Sequence, residues 1–270
     1  MSRAEQQAKT AAEDFRRTHR LGRQPLGDLV ALIERVTGYD VAIVSAASDE
    51  HGLTMRDPAR EAVFIGVAAT DHPMRQRSSL AHELGHVVFG DWSPPETLGP
   101  RTLEEVRADS FARHLLLPLE GVSGLLEERR QPTEADLSDI VQHFLVSPAI
   151  AAIAIRDAGY IDQATAERWM KRSTRQLATR YGWGDQYASL QATSATLRAP
   201  QGLLARAIEG YAEGVVTAQT IATLQGVDVD RVIAELEEAG VNPSSPEPID
   251  LSAECLPPVE VDLSILETMT

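Results

Sequence analysis

The segment His82-Glu83-Leu84-Gly85-His86 constrains this chain more than any other feature. Its flanks read as a helix over Met74 to Gly90, with Leu80, Leu84, Val87 and Val88 on or near one side. Residues four apart on a helix stand above one another, so both imidazoles can reach one cation while Glu83 lies beside them. In a chain with seven histidines, roughly 0.016 accidental copies of this pattern are expected, which makes it uncommon but not decisive alone. A catalytic metal site also needs a third protein ligand and one open position. The fold must therefore hold this helix firmly and bring a further donor to it.

The spacing of that donor separates the possibilities. One class of zinc site places a glycine three residues after the motif and a histidine six residues after it, but here those positions are Phe89 and Trp92. A second helix, Leu103 to Leu117, ended by Pro118, offers Glu105 and Asp109 on one face at i and i+4. One can bind the metal while the other accepts the N–H of a ligating histidine and fixes its tautomer. Glu104 competes as the ligand, but its i+4 partner is Ala108, which can orient nothing. A zinc ion in such a site lowers the pKa of its water to about 7, and a neighbouring carboxylate can take the proton.

The rest of the pattern gives an α+β fold: a zincin-like core of small sheet and HExxH helix, then an all-helical C-terminal half. Residues 3 to 20 look like an exposed helix. Pro25 suits the first turn of the next, which Gly38 ends. Three short runs have strand character: Val41 to Ala46, Leu53 to Arg56, and Ala62 to Ala69, the last apolar on both faces. Beyond Pro118, helices are expected at Thr133 to Phe144, Ala149 to Ala158, Ala164 to Tyr181, Leu203 to Tyr211, Ala218 to Leu224 and Val229 to Ala239. The expected organisation is an N-terminal helix (1–24), a metallopeptidase core (25–120), a helix-turn-helix-like bundle packed on it (121–160), a helical region (161–242) and an acidic, proline-rich tail (243–270).

Charge and cysteine content exclude several classes. The net charge is −15, but residues 1–199 carry only −4 and residues 200–270 carry −11. An acidic chain of this kind does not coat DNA. The second helices of the two helix-turn-helix-like pairs, Pro148 to Arg156 and Asp230 to Glu238, are apolar and acidic respectively, and neither suits a phosphate backbone. The basic face with Arg168, Lys171, Arg172, Arg175 and Arg180 reads as solvated. A single Cys255 excludes a disulfide framework. With no apolar leader and no long apolar window, a cytoplasmic location without membrane partners is expected.

Arg75-Gln76-Arg77-Ser78-Ser79-Leu80-Ala81-His82-Glu83-Leu84-Gly85-His86, followed by Glu105-x-x-Ala108-Asp109-x-Phe111-Ala112-x-x-Leu115-Leu116-Leu117-Pro118, resembles the ImmA/IrrE family of zinc metallopeptidases. The likeness runs through Phe144 to Ser147 and covers about residues 25 to 160. Ser78 stands where the family usually has an aromatic, and Arg107 where it commonly has an acid just before the alanine. The resemblance implies one zinc ion held by His82, His86 and Glu105, Glu83 as general base and Asp109 as the partner that orients a histidine. It also implies an endopeptidase that cleaves a helix-turn-helix repressor and so relieves repression in a mobile element or a stress response. The alternative is a regulatory binding protein that recognises a repressor or toxin without cutting it, the metal site being structural or vestigial. Tyr39 and His72 are candidate donors to the oxyanion. The strand Ala62 to Ala69, or its neighbour Leu53 to Arg56, is expected to hold the substrate backbone.

Overall fold

The structure is a computed structural model, and it describes residues 2–46, 52–92, 102–126 and 131–244. Helix α1 (Arg3–Thr18) starts in a capping box between Ser2 and Glu5, and α2 (Leu29–Thr37) starts at Asp28 and stops at Gly38, whose φ is 73°. Pro25 lies before α2 rather than in its first turn, because the Asp28 carboxylate accepts the Ala31 N–H and sets the start there. Nor is α1 an exposed helix. Ala8, Ala12 and Arg16 are buried, and the helix packs along the later α4.

Strands β1 (Asp40–Val44), β2 (Gly52–Asp57) and β3 (Ala62–Ala68) form a sheet in the order β1-β3-β2. β3 is parallel to β1 and antiparallel to β2. Its central place accounts for its two apolar faces, with Ile65, Gly66 and Val67 all buried. The β1 edge is closed by a bridge in which Ile43 and Arg198 exchange backbone hydrogen bonds of 2.8 and 3.0 Å. Among the described residues nothing pairs with the outer edge of β2, where Leu53 and Met55 are 44% and 56% exposed.

Helix α3 (Pro73–Phe89) lies against β2 and β3, and α4 (Leu103–Leu116) lies against α3. Then follow α5 (Leu119–Leu126), α6 (Glu134–Phe144) and α7 (Pro148–Asp157). The basic run expected as one helix is two, α8 (Gln163–Met170) and α9 (Thr174–Arg180). Ser173 breaks it: its side chain accepts the Gln176 N–H while Gln176 returns to the Ser173 backbone, a capping box that starts a new helix. The chain continues through α10 (Gly184–Ser194), α11 (Gln201–Ala212), α12 (Ala218–Gln225) and α13 (Val229–Glu238). Helices α5 and α10 had no counterpart in the sequence reading. The tail expected from residue 243 lies outside the described residues beyond Ser244.

Two cores result. The larger takes in the sheet, α1 to α7, and also Trp169, Leu177, Trp183 and Tyr187 of the α8 to α10 region. The smaller, built on Ile221, Ala222, Val232 and Leu236, belongs to α11 to α13 alone. Among the described residues no single helix is long and apolar enough to cross a membrane.

Candidate metal centre

Helix α3 owes its position to a half-buried arginine and a missing side chain. The Arg77 guanidinium donates to the carbonyls of Leu26, of Gly27 at 2.6 Å and of Leu145 at 3.2 Å, and so ties α3 to the chain before α2 and to the end of α6. Burial holds its pKa down to about 10, which still leaves it charged at neutral pH. At Gly85 a Cβ would stand 3.2 Å from Ala108 Cα and 3.2 Å from Phe111 Cδ1. The glycine inside the motif therefore lets α4 approach α3 closely enough for acids on one helix to meet histidines on the other.

Three donors converge there. His82 Nε2 and His86 Nε2 are 3.0 Å apart, and the Glu105 carboxylate oxygens lie 3.3 Å from the first and 3.5 Å from the second. This is the one group of three potential metal-binding side chains found among the described residues. Glu104, the competing ligand, is not in it.

The donor set fits a small divalent cation. With ligand bonds of about 2.0–2.2 Å, the edges of a tetrahedron are about 3.3–3.6 Å, the scale of the contacts from the two nitrogens to the separate Glu105 oxygens and somewhat above the 3.0 Å between the nitrogens. The tautomers agree. His82 Nδ1 is 2.7 Å from Asp109 Oδ1, so the ring donates through Nδ1 and turns the lone pair of Nε2 inward. With that lone pair inward, the 3.0 Å approach of His86 Nε2 is satisfied either by a proton on His86 or by a cation held between the rings. The site is half-open, with Glu105 42% exposed and the histidines 18% and 14%.

The Glu83 side chain reaches β2. Its Oε2 accepts the Thr54 hydroxyl at 2.6 Å. Its Oε1 lies beside Gly52, where a Cβ would come within 2.6 Å of it. Thr54 and Gly52 on β2 thus hold the carboxylate against that strand. Nothing in the local sequence marks them, because they are 29 and 31 residues away and only strand pairing brings them near.

The structure unites His82, His86, Glu105 and Asp109 and sets Glu83 beside them. It does not bring the two expected oxyanion donors there. His72 stands at the start of α3, ten residues or about 15 Å along the helix from His82, and pairs with Asp71. Tyr39 leads into β1, on the side of β3 opposite β2. Of the two strands expected to bind substrate, β3 is central and has no free edge, whereas β2 has one. Trp92, just past α3, carries Arg56 of β2 at 5.6 Å from its ring centroid.

Residues 37–156 match the family model Peptidase M78, described as an IrrE N-terminal-like domain. The matched stretch holds the whole sheet, α3, α4 and every residue of the cluster. No curated protein matches the chain significantly.

Proposed function

Residues 37–156 are a peptidase domain of the ImmA/IrrE family, and from that premise we propose that the chain is a zinc-dependent endopeptidase. The convergence of His82, His86 and Glu105, each with a ligand atom within 4.8 Å of the others, is the observation that carries the proposal. A peptidase acts on protein, and by the family resemblance the substrate proposed is a helix-turn-helix repressor.

Zinc held by these three side chains would supply Lewis acidity and an activated water. The chain's own residues do the rest. Glu83 is the proton acceptor, and the Thr54 hydroxyl fixes its carboxylate through Oε2. Asp109 fixes His82 and keeps its Nε2 free of a proton. The open edge of β2 offers backbone groups to an extended segment of substrate, which would place a peptide bond beside Glu83.

Incubation with a candidate repressor tests the proposal. New termini on the repressor that disappear with Glu83→Gln support proteolysis. Capture of the repressor without fragments, unchanged by Glu83→Gln, would support the binding-protein alternative instead.

A further inference from the structure

The two histidines that offer Nε2 to the cluster have different neighbours at Nδ1. That of His82 is Asp109 of α4. That of His86 is Asp91, whose Oδ2 faces Nδ1 at 3.6 Å. Gly90, at φ 71°, turns the chain at the end of α3, and the Asp91 N–H donates to His86 O at 2.9 Å. This turn folds the Asp91 side chain back beside a histidine five residues earlier. Its other oxygen, Oδ1, accepts from Arg107 at 2.7 Å, and the Arg107 guanidinium lies 4.2 Å over the Phe89 ring.

Asp91 Oδ2 is buried and makes no hydrogen bond among the described residues. A buried acceptor left without a donor is costly, and native structures rarely keep one without a reason. Were the Asp91 and Arg107 pair only a latch between α3 and α4, a two-pronged contact using both oxygens would be the stronger geometry. Arg107 instead holds one oxygen and leaves the other towards His86. A separation of 3.6 Å is too long for a hydrogen bond, but an adjustment of about 0.5 Å makes it one.

We propose that Asp91 is a positioning residue of the metal centre: its Oδ2 accepts the Nδ1 proton of His86, which leaves Nε2 free for the cation, while Arg107 fixes the carboxylate. The arginine at position 107 then has a task that an acid there could not perform. The proposal rests on the metal-centre reading above.

Competition with a chromogenic chelator, on the full chain at fixed pH, gives the zinc dissociation constant. Loss of an orienting partner costs about 10- to 100-fold in metal affinity, and that range is expected for Asp91→Ala. Asp91→Asn keeps the shape but turns one oxygen into a donor, and about 10-fold is expected. Arg107→Met should weaken zinc less, and should add nothing in the Asp91→Ala background. The thermal midpoint of the zinc-free protein is the second readout. A mere latch would lower it and leave the zinc affinity of the folded chain alone. Asp91→Ala and Asp91→Asn within twofold of wild type overturn the proposal, as does full additivity with Arg107→Met. A wild-type chain that takes up no zinc overturns the metal-centre reading and this proposal together.

Discussion

Arg77 shows how a conspicuous residue near a motif can serve structure alone. Its guanidinium satisfies three carbonyls from two distant segments, so Arg77→Met leaves these part-buried and exposed acceptors without that donor. A loss of about 2–4 kcal/mol in urea unfolding is expected, with zinc affinity of the folded protein unchanged. His114 behaves differently. It is buried in α4, and burial, with lesser contributions from the charges of Arg113 and Lys9, holds its pKa down to about 4, against opposing Asp157 and Glu5. An unfolded histidine titrates near 6.5. Between those values the unfolded chain takes up a proton that the folded chain refuses, so this residue lowers stability as pH falls through the window. His114→Leu should flatten the stability profile between about pH 6.5 and 4 by about 1–3 kcal/mol, read from urea midpoints across pH. The grouping of His82, His86 and Glu105 was legible at this level, since i and i+4 spacing on two helices is a local property. Thr54, Gly52 and Asp91 were not, since a strand pairing and a glycine turn supply their proximity.

Helices α3 and α4 make the site by how closely they cross. Gly85→Val adds atoms where a single Cβ already stands 3.2 Å from the α4 backbone. The helices must separate, and zinc affinity is expected to fall at least tenfold while circular dichroism still reports a helical protein. On the sheet side, Thr54→Val removes the hydroxyl on Glu83 without changing shape much. Its expected signature is a lower kcat with zinc content intact, and an unchanged kcat would detach β2 from the positioning of Glu83. Periodicity located β1, β3 and most helices because each has a face buried on a core, whereas β2 buries none of its residues. It failed at Ser173, where one capping box outweighs a continuous helical pattern, and at α10, whose apolar face is weak: only Tyr187 and Ser194 are buried.

The whole molecule divides at its cores. Helices α8 to α10 feed the core that supports the metal centre, whereas α11 to α13 enclose their own. A chain ending at residue 200 keeps the Arg198 bridge to β1 and the larger core, and should fold and bind zinc like the full chain. A chain ending at residue 160 loses Trp169, Leu177, Trp183 and Tyr187 from that core and should be aggregation-prone, as size-exclusion chromatography would show. The charge does not follow the same division: residues 200–270 carry −11, residues 37–156 carry −8, and residues 1–36 and 157–199 carry +2 each.

Repressor cleavage by wild type and Glu83→Gln at matched zinc occupancy tests the endopeptidase most directly. One zinc per chain in both proteins, with cleavage only in the wild type, is the expected result, because the proposal gives Glu83 the proton transfer and no bond to the metal. Equal cleavage by both, or a folded wild type that holds no zinc, would contradict it.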